Sequence, residues 1–337
     1  MDDSIRIGVV GGGIRGSMFG SVIEEHPNAT VAAFCEPADQ VASTLAEQFA
    51  APVHAGLEDF FAEGMDAVVV ATPDFAHKEA GLGALERNLH VLFEKPLATS
   101  RADAIALRDA AKASSGKVMV GFENRWNPKF QQVRDILASG ENPIVAQRVL
   151  LQDTEFVPRQ MLSWAARSTP GWFLFPHSLD MAMWLSGAHP VEVFARGVKK
   201  VLAPDGIDTY DRIAASFLMS DDSILDLDSG WVLPESRPSV FEFRYGIEAK
   251  GLEFEIEIDR SGVTSYGTTS ANYLFGPAKD ARGRLVGAHI DMMRDFIDYC
   301  LGADLDVPSV DDGFRVTEAI ATLHEALESR TNKTIQY

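Results

Sequence analysis

Gly11-Gly12-Gly13-Ile14-Arg15-Gly16 fits the string G-x-G-x-x-G. Glycines at this spacing suit an approaching phosphate. Gly11 permits a tight turn, Gly13 lets the backbone close on a pyrophosphate, and Gly16 lets a helix pack on a strand. The anion then meets the free N–H groups and the positive dipole end of that helix. Glu36 lies about 20 residues past Gly16. A carboxylate there accepts hydrogen bonds from ribose hydroxyls and repels an added phosphate. Pro37 and Ala38 follow it, with no arginine to hold such a phosphate. The pattern points to NAD rather than NADP. The alternative is a ligand-free glycine turn beside a solvated Glu36.

Three more strings carry polar groups next to apolar runs. They are Ala71-Thr72-Pro73-Asp74-Phe75-Ala76-His77, Glu94-Lys95-Pro96-Leu97-Ala98 and Val120-Gly121-Phe122-Glu123-Asn124-Arg125-Trp126-Asn127-Pro128. Each follows an expected strand. In an open parallel sheet, ligands bind beyond the carboxyl ends of strands. Arg125 suits a substrate hydroxyl or carboxylate, or equally an ion pair at the junction between two domains.

The elements that position these strings alternate between strand and helix. Apolar runs at Ile5–Val10, Thr30–Glu36, Ala67–Ala71, His90–Phe93 and Lys117–Val120 read as strands. Ile14–His26, Asp39–Phe49, His77–Arg87 and Arg101–Ala113 read as helices between them. The repeat implies a parallel sheet covered on both faces. Beyond Gly121 the strands lengthen and alternate. Val145–Leu151, Glu192–Val201, Asp211–Leu218, Ile224–Trp231 and Phe241–Ala249 suit an antiparallel sheet with one covered face. Ser220–Ser223 reads as a hairpin turn. The expected division is residues 1–122 as a dinucleotide-binding α/β domain and 123–337 as an α+β domain.

Composition narrows the function classes. The formal charge is -19, from 30 basic and 49 acidic residues. That balance opposes nucleic acid and anionic membranes. Cys35 and Cys300 form neither a disulfide framework nor a metal-ligand spacing. No metal site is expected. MDDSIRIGVVGGG does not read as a signal peptide, and no apolar run reaches the ~20 residues that span a bilayer. A cytoplasmic setting is the expectation.

Together the strings resemble the Gfo/Idh/MocA family, named for glucose-fructose oxidoreductase and inositol dehydrogenase. The likeness includes the glycine turn, A-T-P…H, E-K-P, H-x-x-D and the late Asp311-Asp312-Gly313. It implies a Rossmann domain plus a domain built on a large open antiparallel sheet. It implies homodimers or homotetramers through that sheet, and hydride transfer between a nicotinamide and a hydroxyl or carbonyl of a sugar, polyol or cyclitol. The family's catalytic lysine matches Lys95, and its histidine matches His177. A partly desolvated lysine with a lowered pKa suits proton exchange. An imidazole titrates near working pH and can take a hydroxyl proton. Asp180, one helical turn beyond His177, is placed to orient the ring. Ile14, Arg15, Thr72, Pro73, His77, Glu94 and Lys95 itself join Gly11, Gly13, Gly16 and Glu36 in the expected cofactor set. Asn124, Arg125, Trp164, Trp172 and Phe173 form the expected substrate set.

Two bland alternatives stand beside these roles. Lys95 would be a surface lysine paired with Glu94, and His77 a helix cap. There is also one departure from the family. Many of its dehydrogenases carry Asp four residues before the histidine, where this chain has Phe173. With Trp164 and Trp172, Phe173 suggests a more apolar wall. A non-catalytic NAD-binding regulator and an NAD-dependent glycosidase, both known in the family, are the competing readings.

Overall fold

The structure is a computed structural model that describes residues 4–138, 140–258, 264–266, 271–273 and 278–337. The chain forms two compact units. The first comprises Met1–Trp126 and Pro277–Thr317, the second Asn127–Gly276 and Glu318–Tyr337.

The first unit opens with β1 (Ile5–Val10), α1 (Ile14–Glu25), β2 (Ala29–Cys35), α2 (Asp39–Gln48), β3 (Val53–His54) and α3 (Leu57–Ala62). It continues with β4 (Ala67–Val70), α4 (His77–Glu86), β5 (His90–Glu94), α5 (Arg101–Ala113) and β6 (Val118–Gly121). All six strands run parallel, in the order β3-β2-β1-β4-β5-β6. Strand order reverses between β1 and β4, so the crevice beyond their carboxyl ends is where a dinucleotide binds in this fold. β4, Ala-Val-Val-Val, is buried on both faces, as its unbroken apolar run requires.

The second unit begins with α6 (Pro128–Leu137), β7 (Ile144–Thr154), α7 (Pro170–Phe173) and α8 (Phe175–Ser186). β8 (Pro190–Val198), β9 (Arg212–Met219), β10 (Ile224–Leu233), β11 (Phe241–Ala249) and β12 (Leu252–Glu257) follow. A short hairpin comes next, β13 (Thr264–Tyr266) and β14 (Ala271–Tyr273). β15 (Ala278–Lys279), β16 (Leu285–Val286) and α9 (Ala288–Leu301) fall in the first unit. α10 (Val310–Ser329) starts in the first unit and ends in the second, and β17 (Lys333–Thr334) closes the chain.

The large sheet has the order β12-β11-β7-β10-β9-β8-β17. It corrects the antiparallel expectation at one place, because β7 and β10 pair in parallel. Alternation reports a covered face, not strand direction. The helices between β7 and β8 supply the crossover that a parallel pair needs. β9 shows the pattern plainly, exposed and buried in strict turn. β8 stops short of the expected Val201. Asp211 accepts the N–H groups of Val201 and Leu202, 2.9 and 2.8 Å away, and that of Lys200, which turns the chain out of the sheet. The hairpin at Ser220–Ser223 is present, with Asp222 at φ 66°.

A single boundary at residue 122 does not describe these units. A late segment returns to cover the first sheet. Ile290, Met292, Met293, Phe296 and Ile297 of α9 join Ile5, Ile7, Val9 and Phe19 in one core. Local pattern does not reveal which sheet a distant amphipathic helix will cover.

Candidate active site

In the first unit, the glycine turn follows β1. Gly11 has φ +93°, and a Cβ there would lie 2.5 Å from the Ala71 carbonyl oxygen. At Gly16 a Cβ would overlap the Gly11 oxygen at 1.8 Å. Around Gly13 a Cβ would meet nothing within 4 Å. Two glycines are thus demanded by packing and the third faces open space. Gly13 is also the N-cap of α1, with no side-chain cap and no acidic residue in the first turn. The helix N-terminus is bare, as an anion site requires. Ile14 stands 64% exposed beside it.

Glu36 follows β2. Its carboxylate accepts the Gly12 N–H and the Ala38 N–H, both at 2.8 Å. It is therefore a fixed acceptor rather than a solvated side chain. Thr72 and Pro73 follow β4, and the Thr72 hydroxyl is buried without a hydrogen-bond partner among the described residues. His77 opens α4 but does not cap it. It is 1% exposed, with Nδ1 2.8 Å from the Pro96 oxygen and Nε2 3.2 Å from the Thr72 oxygen. It ties the A-T-P segment to the E-K-P segment, and burial lowers its pKa.

Glu94 ends β5 and is buried. Its Oε2 accepts the Lys95 N–H at 3.0 Å, and its Oε1 lies 3.7 Å from the Arg15 guanidinium. Lys95 is 8% exposed, so it is not a surface lysine. Burial lowers its pKa, opposed by Glu94, Glu123 and Asp74 and aided by Arg15. The Lys95–Pro96 peptide is cis. The start of α10 buttresses the residues that follow. A Cβ at Gly313 would lie 2.9 Å from Val120 and 3.0 Å from Leu97, and Thr317 donates to the Ala98 oxygen at 3.3 Å. This close approach accounts for the glycine of the Asp-Asp-Gly string.

Beyond β6, Asn124 is buried and Arg125 lies 3.6 Å from Asp312. That ion pair forms inside one unit. Glu123 was not singled out by the sequence, nor was His289 on α9. Their side chains meet, His289 Nε2 lying 3.4 Å from Glu123 Oε1. A lone histidine in a region without a motif gives no signal.

The other expected residues lie in the second unit. Thr169 caps α7 by accepting the Trp172 N–H at 3.1 Å. Phe173 packs edge-on between Trp164 and Trp231, with centroids 6.0 and 5.8 Å apart. Trp231 is fully buried, and its indole N–H donates to Asp153 at 3.2 Å. Trp172 leaves that wall and stacks on His324. His177 is half-buried in the first turn of α8. Asp180 is fully buried, and burial, aided by the Asp180 charge, pushes the Tyr245 hydroxyl well above its ordinary pKa.

Residues 5–122 match the family model described as GFO_IDH_MocA, an oxidoreductase family with an NAD-binding Rossmann fold. The match spans β1 to β6 of the first unit. It is 28% identical to a myo-inositol dehydrogenase of Streptomyces leeuwenhoekii, over 90% of each chain. It is 22% identical to a glucose-6-phosphate 3-dehydrogenase of Bacillus subtilis, over 95% of each. The fold is shared with a scyllo-inositol dehydrogenase from Lactobacillus casei solved with NAD(H) and scyllo-inositol. Their TM-score is 0.81 at 19% identity, covering 98% of this chain and 99% of that one. Among the described residues, no helix is long and apolar enough to cross a membrane.

Proposed function

We propose that this chain is a Gfo/Idh/MocA-type NAD-dependent dehydrogenase or reductase of a CH–OH or carbonyl carbon in a sugar, polyol or cyclitol. The observation that carries the reading is Lys95. It is a buried amine with a lowered pKa, at the end of a strand two places from the open glycine turn. The turn fits a dinucleotide because Gly13 leaves space where Gly11 and Gly16 leave none. Gly11, Gly13, Ile14, Arg15, Gly16, Glu36, Thr72 and Pro73 would hold it. A bound nicotinamide supplies the hydride acceptor or donor.

The chain's own groups handle the proton. Lys95 exchanges it at Nζ, because desolvation disfavours the ammonium and makes the free amine accessible. His177 is assigned a proton-exchange role on the second unit, and Asp180 a place behind it in the core. Glu36 favours NAD over NADP by its charge. The open sheet face supports self-association, because Phe194, Leu218 and Ile224 stand 40%, 38% and 49% exposed.

The test is nucleotide reduction measured by absorbance with NAD and NADP, over sugars, polyols and cyclitols. Lys95→Ala and His177→Ala should each lower turnover by about 10²-fold or more while NAD binding persists. Near-normal turnover in both variants would remove the assignment. Stable NAD binding without turnover on the whole panel would favour a binding regulator.

A further inference from the structure

Glu94 on β5 sits opposite Gly121 on β6 in the parallel register. Lys95 follows the first, and Glu123 lies two residues past the second. Glu123 opens a single helical turn, Glu123–Trp126. α9 packs on that turn, and the Trp126 indole N–H fastens it by donating to Asp295 at 2.7 Å. His289, in the first turn of α9, thereby reaches Glu123. Exposure rises only at the end of the series. Lys95 is 8% exposed and Glu123 6%, whereas the His289 side chain is 29% exposed.

Glu94 is already engaged by the Lys95 N–H and faces Arg15. Glu123 is the carboxylate that lies against the imidazole. We propose that Glu123 and His289 form a proton exit for Lys95, running from the buried amine through the carboxylate to an imidazole that reaches water. The inference rests on the dehydrogenase reading, because oxidation of CH–OH releases one proton per turnover.

Each step moves one proton and no electrons. The Lys95 ammonium becomes an amine as Glu123 becomes a carboxylic acid. Glu123 returns to carboxylate as His289 Nε2 takes the proton. The imidazolium then gives its Nδ1 proton to water. Burial lowers the pKa of both Lys95 and His289, so neither end retains the proton strongly. Glu123 favours the charged form at both ends. Glu94 and Arg15 also act on both, and Asp74 acts on Lys95. Glu123 and His289 act through Lys95 and are positioning residues in this scheme.

The first test needs no substrate. Ring resonances of isotope-labelled histidine, with His289 assigned from His289→Gln, are followed against pH in the unliganded protein. Glu123→Gln should lower the His289 midpoint by about half a pH unit or more, because it removes a facing anion. Lys95→Met should raise that midpoint, and by a smaller amount in the Glu123→Gln background, where the carboxylate that couples the two groups is gone. A His289 titration indifferent to both changes would overturn the proposal, whether or not a substrate is found. The second test uses a substrate from the panel. His289→Ala should lower kcat by about ten-fold with KM nearly unchanged, and added imidazole should restore part of it. A loss that imidazole leaves untouched would show a structural role and overturn the exit. Coupled titration with no turnover on any panel member would count against the dehydrogenase reading alone.

Discussion

Trp172 lies flat on His324, with ring centroids 5.1 Å apart and planes 8° from parallel. His324 Nδ1 is 2.8 Å from the Ile320 oxygen and therefore carries the proton, so Nε2 accepts the Thr169 hydroxyl at 2.9 Å. A Cβ at Gly171 would come within 2.9 Å of the ring. An indole, a hydroxyl and a glycine thus clamp α7 to the end of α10, one turn before His177. His324→Ala should cost roughly 1–3 kcal/mol from the lost stack and hydrogen bond. Thr169→Val should cost about 1 kcal/mol alone and little more in the His324→Ala background. Urea unfolding measures both. Fully additive losses would show that the two contacts are separate.

Acid should weaken the fold through its buried imidazoles. Burial lowers the pKa of His77, His289 and His324. A lowered folded pKa means the unfolded chain binds more protons below its ordinary value of about 6.5. Their contribution is therefore intact above that pH and lost as pH falls toward each folded value. The urea midpoint should drop between pH 7.5 and pH 5, and His324→Gln should flatten part of that slope. An unchanged slope in His324→Gln would show that its burial does not drive the loss.

The first sheet was legible because every β-α repeat is local and Ala67–Val70 is unbroken apolar sequence. The glycine turn was legible because backbone sterics fix residue type there. Lys95 carried a proline and a strand end beside it. What the sequence hid was long-range. The place of α9 depends on a sheet formed more than 160 residues earlier. The β7–β10 pairing depends on a crossover path, and the Glu123–His289 contact joins two residues that share no motif. Trp172 looked like a wall residue because its partner, His324, is distant in sequence.

The glycines should separate folding from binding. Gly16→Ala places a Cβ 1.8 Å from a backbone oxygen and should cost at least about 3 kcal/mol or prevent soluble expression. Gly13→Ala meets open space at φ -64° and should alter stability by no more than about 0.5 kcal/mol. It should still weaken NAD binding by about ten-fold or more, because the Cβ fills the approach to the pyrophosphate. Thermal melting and calorimetric NAD titration read the two effects. Unchanged affinity in Gly13→Ala would move the phosphate site elsewhere.

Phe173 decides how far the likeness to cyclitol dehydrogenases extends. Its ring fills the space between Trp164 and Trp231, and the Trp231 N–H is already taken by Asp153. Phe173→Asp removes that ring and leaves its carboxylate without the indole donor, so it should cost about 2–4 kcal/mol. Phe173→Leu keeps an apolar surface and should cost less. If Phe173 selects substrate, the Asp variant should gain activity on polyols relative to less polar alcohols, and Leu should not. NADH formation over the same panel, at a temperature where both variants stay folded, measures the ratio. An identical substrate profile in wild type, Phe173→Asp and Phe173→Leu would confine Phe173 to packing and return specificity to the other polar groups of the chain.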